Sequence, residues 1–412
     1  MKKNRLIKNT LLLYVLTFSS YVFMFVTIPY QTRILGPELF GVIGVTTAVM
    51  MFVSLVLDFG FMIHATGEIS RKKDSKSEIN SIYSSVMYIK LALAALCVLI
   101  LPVAGILSSF VQEYLLLFYL YLFAYIAQSL LPDFLYRGLE DMMPITIRTV
   151  ISRSVFVVLI FAFLRSPEQY NLIPLFFIIS NTLALALAWI DVHRRYSIKP
   201  VYVKVRTIFQ TFKASSQFFL SRIATTVYGA SSTIIVGATN PGIQVGYYSS
   251  ADKLVVASKA GFSPIADSIY PYMINTKNYS LLKKVILVTT VLSVSASALV
   301  FFNAEYVCRL LFGDEFVGTA PILQALLPIL AITPIQYLLG FPALSPIDLQ
   351  KHANYSIFLS ASIYVLLVCG LVLSPYGISP VSIALVVTIS ELSSVVYRGS
   401  IALLAKYKWR LI

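Results

Sequence analysis

Charge is scarce in this sequence. Asp, Glu, Lys and Arg make up only 12% of its 412 residues, about half the share of an ordinary soluble domain. Too few charges remain to coat a water-exposed surface around a core of this size, which excludes a soluble enzyme. A disordered chain and a collagen-like chain are excluded as well, because 58% of the residues are apolar. Cysteine is nearly absent: Cys97, Cys308 and Cys369 stand alone, without C-x-x-C spacing. They support neither a disulfide framework nor a metal site, and His64, His193 and His352 are equally isolated. No G-x-x-x-x-G-K-[ST] loop is present, so nothing here cradles and hydrolyses ATP. Tryptophan occurs twice, against 26 Tyr and 27 Phe.

What is abundant is long apolar runs. A membrane-crossing helix needs about 20 mostly apolar residues. Twelve such stretches are read at about 9–31, 39–63, 82–105, 114–134, 145–165, 171–191, 214–237, 247–272, 284–303, 321–341, 354–374 and 379–404. Runs such as Leu91 to Leu101 do not alternate, as the strands of a membrane barrel would. The spans are therefore read as helices. Lys2, Lys3, Arg5 and Lys8 precede the first run as they would in a signal peptide. That run continues to Pro29, and no small-residue cleavage site follows, so it is read as an uncleaved span.

The net charge of +14 would point to nucleic acid in a soluble protein. Here its distribution points to a membrane instead. With the N-terminus inside, 22 Lys and Arg fall in cytoplasmic segments, including Lys406, Lys408 and Arg410 in the tail. The opposite face holds only Arg33, Arg165 and Arg309. The positive-inside rule then places both termini in the cytoplasm. The longest polar connection, the basic linker 192–213, divides two sets of six spans, giving a bundle over 1–203 and a second over 204–412. Leu35-Gly36-Pro37-Glu38-Leu39-Phe40-Gly41 after span 1 is echoed by Asn240-Pro241-Gly242-Ile243-Gln244-Val245-Gly246 after span 7. An internal repeat of this kind is a common build for secondary transporters.

Seven bases remain inside predicted spans: Lys90, Arg148, Arg153, Arg222, Lys253, Lys259 and Arg398. A charge at the bilayer centre costs about 2.5–3.5 kcal/mol on insertion scales, so such residues usually face a bundle interior. Lys90 and Arg148 lie near span ends and are expected to snorkel to the interface. Arg153 and Arg222 lie roughly 12 Å deep at 1.5 Å per residue, and Lys259 is near the middle of its span. These three are candidates to line a cavity, with a structural ion pair as the alternative for each. Asp58 and Asp133 sit at span boundaries, where solvation or helix capping is expected. Asp252 and Lys259 are seven apart, on one helix face, and could pair; Glu391 and Arg398 share the same spacing. Glu391 is a candidate proton or cation site, or a packing ion pair. The excess of embedded bases over acids points to a cationic interior that attracts an anion, with guanidinium groups suited to phosphate.

At this point a family resemblance can be drawn. The run Pro29 to Gly41, with Thr32-Arg33-Ile34-Leu35-Gly36-Pro37, resembles the first-loop signature of the polysaccharide-repeat (O-antigen) flippases of the Wzx type. Asp58-Phe59-Gly60 closing span 2 is similar. So are Gly246 to Lys253 opening span 8, Tyr270-Pro271 at its far end, and Leu310 to Phe316 before span 10. The resemblance covers nearly the whole chain. It implies an all-α integral membrane protein with twelve helices in two six-helix bundles around a central cavity. The superfamily also holds multidrug extruders and lipid II flippases.

The resemblance further implies a flippase in the bacterial inner membrane, not an enzyme. Its cargo would be an undecaprenyl-pyrophosphate-linked oligosaccharide of O-antigen or capsule type, moved from the cytoplasmic to the periplasmic leaflet. Other membrane proteins of polysaccharide assembly would be its neighbours. Arg33 and Lys253 match family motif positions. Arg222 and Lys259, with Arg153 and Arg398, are expected on depth to hold the anionic head. Glu391, Asp252 and Asp58 are the candidate ion-coupling carboxylates, with a proton or sodium gradient in place of any cofactor. Tyr228, Tyr248 and Tyr270 are candidates to stack on sugar rings, although Tyr in a span more often packs or anchors. A multidrug or cation extruder of the same superfamily should have an acid-rich interior, the reverse of this one. A membrane-embedded polysaccharide polymerase or ligase should expose a long external loop, and the external loops here are short.

Overall fold

The computed structural model describes residues 2–375 and 377–404, without the side chains of 2–18, 20–21, 220–221, 224–225 and 227–228. Tyr228 and the basic tail residues Lys406, Lys408 and Arg410 lie outside the described side chains. All regular structure among the described residues is helical. The chain divides into two compact units: Met1–Thr27 with Thr46–Thr226, and Ile28–Val45 with Val227–Ile412. We call them unit 1 and unit 2.

Helix α1 (Lys2–Asp58) contributes to both units, as does α9 (Val205–Thr239). Unit 1 adds α2 (Phe61–Arg71), α3 (Lys76–Leu107), α4 (Ser109–Glu113), α5 (Leu115–Ser129), α6 (Asp133–Gly138), α7 (Met143–Phe163) and α8 (Leu172–Arg194). Unit 2 adds α10 (Ile243–Ala260), α11 (Ser263–Thr276), α12 (Tyr279–Phe302), α13 (Ala304–Phe312), α14 (Ala320–Leu338), α15 (Phe341–Leu344), α16 (Gln350–Leu373) and α17 (Pro380–Leu404).

Among the described residues, nine helical stretches are long and apolar enough to cross a membrane, not the twelve read from the sequence. Two causes are visible. The first two predicted spans run together as one stretch, Val22–Arg71, although Gly36 (φ 69°, ψ 173°) breaks α1 internally. Residues 205–276, which hold the seventh and eighth predicted spans, are not among the nine. Within them, α10 places Asp252, Lys253 and Lys259 in only 18 residues.

Helices in lipid gain little from hydrophobicity alone and hold together where small residues allow close packing. The two echoed loops show this inside unit 2. A Cβ on Gly246 would sit 1.8 Å from the Pro37 carbonyl oxygen, and one on Gly41 would sit 2.7 Å from the Gly246 nitrogen. The repeated glycines are thus the point where the two echoed helix starts touch.

Unit 1 has its own sharp turn at Asp58-Phe59-Gly60. Phe59 (φ 40°) and Gly60 (φ 79°) are both left-handed, which is costly for a bulky side chain. Stacking of the Phe59 ring on Phe212 (4.3 Å between centroids) and Phe219 (4.6 Å) holds it there. A Cβ on Gly60 would meet the Ser215 carbonyl oxygen at 2.7 Å and the Phe219 nitrogen at 2.9 Å. Gly60→Ala is therefore expected to lower the thermal midpoint of the detergent-purified protein. The left-handed backbone alone costs an alanine about 1–2 kcal/mol, before the clash is counted. The turn ends α1 on Asp58 and holds that carboxylate against α9.

Candidate functional site

Unit 1 encloses a cavity of about 360 Å³, within the range typical of ligand pockets. Its charged lining comes from five helices. Asp58 closes α1, Lys90 projects from α3, Asp133 opens α6, Arg148 and Arg153 project from α7, and Arg222 from α9. Four bases thus face two carboxylates, and Gln128, Ser152 and Asn181 complete the polar wall.

Each acid is committed to one arginine. Arg222 Nη1 donates to Asp58 Oδ2, and Arg148 Nη2 donates to Asp133 Oδ1 at 2.5 Å. Lys90 Nζ donates to the Ser129 carbonyl at 2.5 Å, at the C-terminal end of α5, where a cation is favoured. The Arg153 guanidinium has no carboxylate partner among the described residues and lies 6.0 Å from the Phe177 ring centre. Arg148 is 4% exposed. Its Nε and Nη1 find no acceptor among the described residues. Leaving buried donors of a charged group unmade is expensive, so these two N–H groups mark a place for an anionic oxygen.

These positions correct two expectations. Lys90 (2% exposed) and Arg148 do not snorkel, because the turn of α3 and α7 aims them into the unit rather than along it. Asp58 and Asp133 are ion-pair partners of arginine rather than solvated caps.

Unit 2 holds a second, larger cavity of about 540 Å³, lined in part by Lys259, Asp267, Gln336, Glu391 and Arg398. Lys259 Nζ donates to Glu391 Oε1 at 2.7 Å, so its partner is on another helix and not Asp252 one face along its own. The Gln336 amide nitrogen donates to Glu391 Oε2 and to Ser394 Oγ, the latter at 2.8 Å. Arg398 donates through Nη1 to the Gln336 carbonyl, and through Nε to Ser356 Oγ at 2.7 Å. Glu391 and Arg398 are therefore linked through Gln336. Charge is balanced here, two bases to two acids, whereas unit 1 carries the excess.

The remaining predicted residues lie elsewhere in unit 2. Lys253 sits 4.5 Å from the Phe40 ring centre, beside Asp252, and neither lines the two cavities. Arg33 Nη2 donates to the Leu310 carbonyl at 2.5 Å, near the C-terminal end of α13, and fastens the α1 bend to it. Tyr248 is fully buried, whereas Tyr270 lines the unit 2 cavity. Asp133, Lys90, Arg148, Gln336, Asp267 and Phe341 are among the cavity residues that sequence reasoning did not single out as site residues.

The helical architecture is shared with solved transporters. An inward-facing multidrug resistance MATE family transporter of the MOP superfamily superposes with a TM-score of 0.73 at 14% identity, covering 91% of both chains. The lipid II flippase MurJ in an inward closed conformation gives 0.71 at 17% identity, covering 94% of this chain and 86% of that one. The fold is thus all-α and like that of these two proteins. Residues 6–277 match the polysaccharide biosynthesis protein family, and the chain belongs to it. Two proteins named "Putative O-antigen transporter" are similar over most of their length. That of Shigella dysenteriae is 28% identical, covering 87% of this chain and 91% of its own. That of Escherichia coli K12 is 24% identical, covering 84% of each. These relatives are transporters, not enzymes.

Proposed function

We propose that the protein is a flippase that carries a polyprenyl-pyrophosphate-linked oligosaccharide across the bacterial inner membrane, from the cytoplasmic to the outer leaflet. The observation that carries this reading is the unit 1 cavity. Four bases to two acids, with two N–H groups of the buried Arg148 unmatched, suit a doubly charged phosphate ester. The polyprenyl tail needs no such shelter, since it is as apolar as lipid. An extruder of cations needs a cavity that attracts them, and this one repels them.

In this reading Arg148, Arg153, Arg222 and Lys90 hold the pyrophosphate. The chain crosses the membrane twelve times, with Gly36 separating the first two crossings and α9 and α10–α11 supplying the seventh and eighth. The 22 to 3 bias of basic residues sets both termini in the cytoplasm. Glu391 and Lys259 form the ion-sensitive element that resets the cycle.

Arg153→Gln tests the headgroup site with little structural damage, because no carboxylate depends on Arg153. The readout is the affinity of the nanodisc-embedded protein for undecaprenyl pyrophosphate. A hydrogen bond to a charged group is worth about 1.5–3 kcal/mol, so affinity should fall by roughly 10- to 100-fold at an unchanged thermal midpoint. Equal binding by the wild type and the variant would remove the pyrophosphate from this cavity.

A further inference from the structure

The unit 2 cavity has a chemistry of its own, and it does not suit an anion. Its bases and acids balance, and Lys259 already occupies Glu391 at 2.7 Å. Nor does it suit an acyl chain, which would desolvate Glu391 and Arg398 without pairing them. Two features instead ask for a neutral molecule rich in hydroxyl groups.

The first is Gln336, 7% exposed and part of the cavity wall. Its amide orientation is set by Glu391, because an ionised carboxylate only accepts. With the amide nitrogen committed to Glu391 and Ser394, the opposite end must be oxygen. That Oε1 finds no donor among the described residues. A buried carbonyl without a donor costs free energy, and an incoming O–H would satisfy it.

The second is the pair of rings on the same cavity. Tyr270 (40% exposed) and Phe341 (45% exposed) lie edge to face, 6.4 Å between centroids. Ser263 and Asp267 stand beside them, joined by a 3.2 Å hydrogen bond. A pyranose combines apolar C–H faces, which lie on aromatic rings, with equatorial hydroxyls that both donate and accept. An exposed aromatic pair beside a carboxylate and an unsatisfied amide oxygen is complementary to both parts.

We infer that the unit 2 cavity is a sugar subsite that binds a neutral hexose residue, with its ring against Tyr270 and Phe341 and one hydroxyl donating to Gln336 Oε1. The inference rests on the flippase reading for the identity of the molecule that brings the sugar. It does not rest on the phosphate site.

The test compares two ligands on the full-length protein in nanodiscs: bare undecaprenyl pyrophosphate, and the lipid-linked oligosaccharide extracted from the source bacterium. Wild type should bind the glycosylated lipid about tenfold more tightly. Tyr270→Leu and Phe341→Leu should each shrink that preference toward unity while leaving the affinity for the bare lipid unchanged, which also reports that the variants are folded. A preference that survives in both variants, or its absence in the wild type, overturns the sugar subsite. Failure of the bare lipid to bind wild type would instead overturn the flippase reading, so the two failures are distinct. Should both leucine variants lose bare-lipid binding as well, Gln336→Met decides: a preference retained in it overturns the subsite, and a preference lost supports it.

Discussion

Asp133→Ala is expected to destabilise the protein by about 3–5 kcal/mol, the usual cost of orphaning one member of a buried ion pair. The Arg148 side chain is only 5% exposed and Asp133 21%, so water cannot replace the lost carboxylate. Two further Arg148 N–H groups are already without acceptors, and the variant would leave the whole guanidinium uncompensated. The corresponding change at the other pair, Asp58→Ala, should cost about 1 kcal/mol or less, because the Arg222 side chain is 43% exposed and its charge can be hydrated. Thermal denaturation of the purified variants checks the contrast. The double variant Asp133→Leu with Arg148→Met separates folding from function. Apolar replacement of both partners is often neutral or stabilising, so its thermal midpoint should return to near wild type. Export, scored as surface polysaccharide at matched expression, should stay lost. Restored export in the double variant would show that Arg148 serves packing alone.

The residues that misled sequence reasoning did so for a shared physical reason. Position along a helix gives depth, which is why Arg153, Arg222 and Lys259 could be singled out from the apolar runs around them. It does not give direction around the axis relative to neighbouring helices. Lys90 and Arg148 sit near predicted span ends, and from depth alone they should reach outward. The packing of α3 and α7 turns them inward, onto Ser129 and Asp133.

Spacing failed in the same way for Lys259. Asp252 lies on its own helix face, yet the carboxylate it meets is Glu391, 132 positions away. Only tertiary contact supplies such a partner. Gln336 was invisible because an uncharged amide in an apolar run carries no insertion penalty large enough to stand out. The helical class, by contrast, was legible in the composition, whereas the echo of Leu35–Gly41 at Asn240–Gly246 was read as a repeat and gave no sign that the two segments touch through Gly41 and Gly246. The twelve apolar runs stand against nine long apolar helical stretches among the described residues, and α10 departs from the apolar pattern by placing Asp252, Lys253 and Lys259 in 18 residues.

Those charges lead to the second large effect. Glu391 is 4% exposed, and its two oxygens are taken by Lys259 and Gln336. In the proposed cycle, a proton or sodium ion competes with the Lys259 ammonium for this carboxylate. Occupation by the ion and by Lys259 are then mutually exclusive states of one element. A ligand shifts such an equilibrium by its preference for one state. Glu391→Gln and Lys259→Met should each cost about 3–5 kcal/mol by stranding a buried charge, and both should abolish transport. Together they strand nothing, so the double variant should regain most of its thermal stability. What it should not regain is sensitivity to an ion gradient. In proteoliposomes, flipping of the lipid-linked oligosaccharide by wild type should accelerate when a proton or sodium gradient is imposed, whereas the double variant should run at one slow rate with or without it. A double variant that still answers to the gradient would move the coupling site away from Glu391, and the next carboxylate to test would be Asp252.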